Sequence, residues 1–487
     1  MEPSKNLRRF QPAFLILGSV LLLLLWTFIP FKFHLGIIHV KKIDFLSGLR
    51  DRGKEPERFG PLMAALKKFF REASPVASVE IKSTNIKPAQ NTSPIDFAAN
   101  PMTQPLELFD EQALDPFNKA LHELAHKDGV VRIAYFGDSI IEGDLITQDL
   151  RLNLQKAFGG SGVGYIPITS EVAQFRITVG HTFSSDWQTV SLLNNNRRMP
   201  LGIAGFVFIP HCQRDDNNEF ACSSWVEYRV SSSLETLSKI QKLKLFYSHA
   251  EAPASVDYGL DGSEPRSAEL VPGEDVQQTV IEAEPPAKKI RLTFNAKNPF
   301  YIYGASWESE KGIVLDNFAL RSHSGLALSE IPESKLLEFN RLLEYKLIIL
   351  HYGLNVSSPE HQDFSWYQVG MEKVIDYLKS CFPEAALLLV GVPDRSYKQE
   401  TQYVTMPSIP RLAESQRMAA HKTGIAFWDL YSAMGGYNSM VQWVNHQPSL
   451  AALDYTHLNY LGSKRIADHL YRALMSQYKT YEEHHVE

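Results

Sequence analysis

The chain is poor in cysteine: three in 487 residues, at 212, 222 and 381. That excludes a disulfide-stapled scaffold, and the three lack the paired spacing and His-rich partner segment of a zinc site. Cys212 and Cys222 lie in one strand-rich, loop-broken stretch and can pair in an oxidising compartment, or all three can stay reduced. An excess of basic residues is also missing. Lys and Arg number 49 against 55 Asp and Glu, a net charge of −6 with no basic stripe. This excludes a phosphate-tracking surface and, with it, nucleic acid as a partner. Gly and Pro, 28 and 27 residues, stay near ordinary usage, and no fixed repeat occurs. Collagen-like and solenoid architectures therefore fall away, and a 44% apolar share excludes wholesale disorder.

The clearest feature present is AFLILGSVLLLLLWTFIPF at 13–31, which carries no charge. At 1.5 Å per residue this run nearly spans a hydrocarbon core of about 30 Å. No small-residue cleavage site follows it, so an uncleaved anchor is expected in place of a removed signal peptide. Residues 1–12 flank it. Residues 32–105 read as a juxtamembrane segment and linker, ending in a stretch rich in Pro, Ser, Thr, Asn and Gln.

A helix is expected over 106–127, a buried parallel strand at VVRIAYF (130–136) and a helix over 145–158, where Ile146, Leu150, Leu154 and Phe158 share one face. From 165 to 310 the texture changes to short β-branched and aromatic segments such as FRITVGHTF, WVEYRV, KIRLTF and FYIYGASW, which predict an inserted antiparallel sandwich. Its separate pattern implies its own core and a role in recruiting polymer, with Trp187 and Trp225 as its candidate aromatic surface. Beyond 311 the α/β rhythm resumes: strand GIVLDNFAL, helix 333–343, strand KLIILHYG, helix 364–382, strand ALLLVGVP, helix 411–422, strand IAFWDL and a last helix near 461–481.

Three short motifs carry chemistry. YFGDSIIEGD puts Ser139 at the C-terminal end of the first strand, facing a helix N-terminus, although a Ser there can equally be a cap. LDYTHLNY sets Asp454 three residues before His457; one loop can then supply both a base and the acceptor that orients it, or merely a capping Asp beside a surface His. SHSG and HYGLNVSS place Gly325 and Asn355 after later strands, as oxyanion donors or as plain turn residues.

In this order the motifs resemble the SGNH hydrolase superfamily, the GDSL esterases, over about 125–170 and 312–475. The resemblance implies a three-layer, flavodoxin-like α/β fold: a parallel sheet flanked by helices. Here that fold would carry an inserted β-sandwich and an N-terminal transmembrane helix. It implies Ser139 as nucleophile, His457 as base, Asp454 as its partner, and Gly325 and Asn355 as oxyanion donors with the Ser139 amide. Val356 departs from the Asp many members carry, and Gly205 rivals Gly325 for the second block. FYIYGASWESEKGIVLDNFALRSHSG and FWDLYSAMGGYNSMVQWV are similar to segments of membrane-anchored cell-wall and polysaccharide O-acetylesterases and O-acetyltransferases with a carbohydrate-binding-module-like insertion. Trp428 and Trp443 become candidate sugar-stacking residues, the alternative being core packing. Asp215, Asp216 and Glu219 form either a calcium loop or a solvated acidic loop. The resemblance implies no metal or organic cofactor. Its expected partners are an acetylated glycan or cell-wall polysaccharide, the bilayer, and a membrane acyltransferase as a further candidate. The body is expected outside the cytoplasmic membrane, in the periplasm. O-acetyl esterase activity leads, with O-acetyltransferase, lipid esterase and non-catalytic glycan scaffold as alternatives.

Overall fold

The computed structural model describes residues 104–485, apart from 197, 215–219, 232–239 and 252, together with the paired backbone segments His34–Leu35 and Ile38–His39. The chain divides into two units, Met1–Asn91 and Thr92–Glu487. The anchor expected at 13–31 and the acidic loop with Asp215, Asp216 and Glu219 lie outside the described residues, and among those described no helix is long and apolar enough to cross a membrane.

The second unit is built on a six-stranded sheet: β1 (Glu107–Leu108), β2 (Val130–Gly137), β3 (Gly312–Ala319), β4 (Tyr345–His351), β5 (Ala386–Val390) and β6 (Ala426–Trp428). The spatial order is β3-β2-β4-β5-β6-β1, parallel except for β1 at the edge. The order reverses direction at β2, the flavodoxin-like arrangement that opens a crevice beyond the strands' C-terminal ends. The longer helices are α1 (Asp115–His126), α2 (Thr147–Phe158), α3 (Glu333–Leu343), α4 (Ser365–Cys381), α5 (Ser408–Thr423) and α6 (Tyr460–His485), with short helices at Leu430–Met434 and Ser439–Asn445. Contacts group α1, α2 and α6, and separately α3, α4 and α5. Right-handed crossovers on either side of a switch point put such groups on opposite faces, giving three layers. β2 explains its own place at the centre: Ile133, Ala134, Tyr135 and Phe136 are buried on both sides, as a strand covered by helices requires.

The helix expected over 106–127 is shorter. Its first residues form β1 and a turn, and the helix starts only at Asp115, where Pro116 fits the first turn because its missing N–H needs no partner there.

The insertion is a sandwich of two antiparallel sheets. One runs Arg266–Glu269, Ala254–Leu260, Lys289–Ala296, Trp225–Val230, Val179–Phe183; the other runs Gln277–Ala287, Ile240–Ser248, Tyr301–Glu308, Phe206–Ile209, Gln188–Ser191, with Gly164–Ile166 beside Tyr301–Glu308. The Ala254–Leu260 and Gln277–Ala287 strands, which the sequence reading passed over, carry polar residues between single buried ones; Gln277–Ala287 is an edge of its sheet, and Ala254–Leu260 lies between Arg266–Glu269 and Lys289–Ala296. Cys212 and Cys222 are disulfide-bonded across a short hairpin, and Cys381 is a buried free thiol.

The sandwich has its own core, including Phe208, Leu243, Leu245, Tyr228, Leu292 and Trp307. It is not a separate body. Alternation along Ile240–Ser248 turns Leu245 inward and Phe246 outward, onto Phe339 of α3 at 5.9 Å between ring centroids, with Tyr303 on the same ring at 5.5 Å. Arg132 of β2 adds a buried ionic tie to Asp316 of β3 and to Glu308 of the insertion's last strand, while Tyr345 donates to Asp316 at 2.6 Å. Apolar packing and paired charges thus fix the sandwich against the sheet.

Candidate active site

Ser139 follows β2 directly. Gly137 is required there: a Cβ would meet the Ile141 side chain at 2.9 Å and the His351 carbonyl oxygen at 3.1 Å. The chain then turns through Gly143, Asp144 and Ile146, all at positive φ, before α2 begins. Two of these are non-glycine residues, so something must hold the strained turn. Asp144 does. Its buried carboxylate receives the Arg151 fork at 3.0 and 3.1 Å, Arg176 at 3.1 Å, Thr147 at 2.8 Å and Thr178 at 2.6 Å. Burial alone would raise this carboxyl, but the two guanidinium groups and the Arg151 and Thr178 hydrogen bonds hold it well below the usual range. This clamp was missed in the sequence reading, although the seven-residue step from Asp144 to Arg151 is a same-face helical spacing.

His457 comes from the loop before α6. Its Nε2 lies 3.2 Å from Ser139 Oγ, and its Nδ1 lies 2.7 Å from Asp454 Oδ2. Asp454 Oδ1 also accepts the backbone N–H groups of Thr456 and His457, each at 3.0 Å. Burial pushes Asp454 up, but these bonds and the imidazole outweigh it and leave the carboxyl below its ordinary value. The loop closes on itself through Ala452 N–H to His457 O at 2.8 Å, and Tyr455 stacks on Tyr403 of the Ser396–Gln399/Gln402–Thr405 hairpin at 3.7 Å between centroids. Nothing in the sequence pattern marked Tyr403. The dyad is open: the His457 and Asp454 side chains are 47% and 50% exposed.

Asn355 and Gly325 arrive at the same edge but are already engaged. Asn355 Nδ2 donates to Asp138 Oδ2 at 2.9 Å and to His323 O at 3.0 Å, and the Gly325 N–H donates to His323 Nδ1 at 3.0 Å. Gly325 sits at φ +91, and a Cβ there would lie 2.8 Å from the Tyr352 ring. Asp138, adjacent to Ser139 and buried, is pushed up to about 6 by burial, against the pull of Ile140 N–H, His457 and Asn355. Burial also lowers His323 to about 4, consistent with a neutral ring accepting from Gly325.

Trp428 and Trp443 do not line a cleft. Both are fully buried, with their indole N–H groups donating to Gln104 O and Met434 O at 3.0 Å each, so neither offers a face to a sugar. An indole in the core satisfies its one donor on backbone carbonyls, which is what these two do. In the insertion, Trp187 packs edge-on against Phe294 and Arg291 covers Trp225 at 3.8 Å, so neither is a free platform. Gly205 lies in the insertion, where its N–H donates to Gly202 O at 2.8 Å. Among the described residues no cluster of His, Cys, Asp or Glu is arranged to hold a metal ion.

The fold is that of the SGNH-type hydrolases. A peptidoglycan O-acetylesterase structure superposes with a TM-score of 0.62 at 20% identity, covering 77% of this chain and 99% of its own. That share is larger than the α/β portion alone supplies, so the likeness extends into the insertion. A family two carbohydrate esterase from Cellvibrio japonicus (9% identity, 61% and 99% covered) and an acetyl xylan esterase (19%, 33% and 81%) align with TM-scores of only 0.24 and 0.27. No family model and no curated protein matches the sequence.

Proposed function

We propose that this chain is a serine esterase that removes O-acetyl groups from an extracytoplasmic glycan. The observation that carries the reading is the continuous relay Ser139 Oγ, His457 Nε2, His457 Nδ1, Asp454 Oδ2, with links of 3.2 and 2.7 Å, at the C-terminal edge of a parallel sheet beside its switch point. In the first step Ser139 Oγ bonds to the acetyl carbonyl carbon as His457 takes its proton. The imidazolium, held by Asp454, then protonates the departing sugar oxygen as the ester C–O bond breaks. In the second step water attacks the acetyl-Ser139, giving its proton to His457; the Ser139 C–O bond breaks, acetate leaves, and the proton returns to Oγ. The Ser139 N–H, Gly325 N–H and Asn355 amide are assigned to the oxyanion, the last two by sharing or giving up their resting acceptors on His323 and Asp138. No metal or organic cofactor enters these steps.

Transfer of acetyl to a second sugar is the alternative with the same first half. Hydrolysis is favoured by the half-exposed His457 and Asp454, because a transferase must keep water from the acyl-enzyme. The test supplies an activated acetyl ester with and without oligosaccharide and compares acetate with acetylated sugar. Acetate is the expected main product in both arms; predominant acetylated sugar at modest acceptor concentration makes this a transferase. Preference for long acyl chains over acetyl replaces both readings with a lipid esterase.

The charge-free run at 13–31 supports anchoring at a membrane with the body outside, and the Cys212–Cys222 bond suits an oxidising compartment. Protease added to outer-permeabilised cells is therefore expected to digest the catalytic body, and the protein denatured without reductant to titrate as one thiol, Cys381. A protected body or three thiols reverses the assignment.

A further inference from the structure

Between the nucleophile turn and the insertion lies a cavity of about 270 Å³. One wall is Glu142 to Asp144, directly after Ser139, together with Arg321 from the loop after β3; the opposite wall comes from the insertion, including Thr169, Thr189 and Asn194. Ser139 is not on the wall itself, but the cavity starts one turn from it, where the Glu142 N–H donates to the Ser139 carbonyl at 3.3 Å.

The lining has the chemistry of a sugar subsite. Thr169 and Thr189 bond hydroxyl to hydroxyl at 2.8 Å, and Asn194 uses its carbonyl oxygen on Ser191 N–H at 2.7 Å, leaving its amide group for a ligand. Phe206 and Tyr165 supply apolar surface. Two of the three lining carboxylates are paired, Glu142 with Arg321 at 2.7 Å and Asp144 with Arg176, and Glu171 adds a negative charge that disfavours an acidic sugar. A volume just under the roughly 300–1,000 Å³ of drug-sized sites suits a single ring. Two large apolar side chains are open to water here, Leu193 on the lining at 53% exposure and Phe175, whose residue adjoins Gly143 of the lining, at 66%. Exposed apolar groups beside a hydroxyl-bearing cavity match a pyranose, which presents C–H groups on its faces and hydroxyls at its rim.

We propose that this interdomain cavity seats one uncharged pyranose unit of the glycan chain, next to the acetylated unit presented to Ser139, so that the insertion positions substrate at the catalytic centre. This rests on the esterase reading for its catalytic consequence, and it gives the insertion's expected role in recruiting polymer a definite site.

The test uses the soluble full body with Phe175→Ala, Leu193→Ala and the occluding Ser170→Trp. Two measurements are made on each: kinetics on 4-nitrophenyl acetate and on acetylated xylan and peptidoglycan fragments, and saturation-transfer NMR binding of chitotetraose and xylotetraose. The truncations are expected to raise KM on glycan about five- to tenfold and to weaken tetrasaccharide binding equally, with turnover of the small ester unchanged. Ser170→Trp is expected to block binding altogether. Tetrasaccharide binding that these variants weaken, in a protein that hydrolyses no ester, keeps the subsite and removes the esterase reading. Neither tetrasaccharide binding, binding insensitive to all three variants, or equal losses on small ester and glycan overturns the subsite.

Discussion

Ser139→Ala should lower acetyl-ester turnover by on the order of 10⁶-fold, the size seen when a residue that acts as part of a catalytic unit is deleted. The substitution removes one oxygen whose described side-chain hydrogen bond is to His457 Nε2 at 3.2 Å. The turn around it is held by Asp144, Arg151 and Arg176, none of which touches Oγ. Stability is therefore expected to change by no more than about 0.5 kcal/mol, which a thermal melt checks. His457→Ala should cost nearly as much, because the hydroxyl is a poor nucleophile without a base and the two losses overlap. Asp454→Asn should cost less than either. Its carboxylate is half exposed, so part of its stabilisation of the imidazolium is already screened by water. Mass spectrometry adds an independent readout: an acetyl adduct after brief exposure to activated ester, present in the wild type and absent in Ser139→Ala. Retained turnover or a retained adduct in that variant removes the serine mechanism.

Much of this site was legible in the sequence because its parts obey local rules. A buried strand, a glycine with no room for a Cβ and a serine before a helix lie within ten residues, from Val130 to Ser139. Asp454 and His457 share one turn, so their spacing allows the contact that the structure shows. What stayed hidden depends on long-range packing. Trp428 and Trp443 flank the Met434–Gly436 turn exactly where a cleft could be lined, and only the burial of their rings and the carbonyls meeting their N–H groups identify them as core. The insertion's boundaries follow from its strand pattern, but its union with the sheet rests on Arg132 meeting Glu308 across 176 positions and on Phe246 meeting Phe339, pairings no local pattern encodes. For the same reason the interdomain cavity has no signature in the sequence.

Asn355→Ala should lower kcat by about 10²- to 10³-fold, as for loss of one oxyanion donor. The structure adds a condition to that figure. At rest the Asn355 amide is held by two acceptors, Asp138 Oδ2 at 2.9 Å and His323 O at 3.0 Å, so a developing oxyanion must share or displace one of them. The buried Asp138 carboxylate is the stronger holder while charged, and it orients the amide; burial raises its pKa to about 6. Above that pH the anion keeps Asn355 in place. Below it, protonation weakens the acceptor and the amide loses its orientation. The fall in kcat/KM below about pH 6 should therefore be steeper in the wild type than in Asp138→Asn, whose amide oxygen can still accept from Asn355 but cannot titrate. Asn355→Asp should be worse than Asn355→Ala, since it sets a second carboxylate against Asp138 and offers the oxyanion no donor. The same acid-side fall in wild type and Asp138→Asn would show that Asp138 does not control the amide, and an Asn355→Ala enzyme within threefold of wild type would leave the oxyanion to the backbone N–H groups of Ser139 and Gly325 alone.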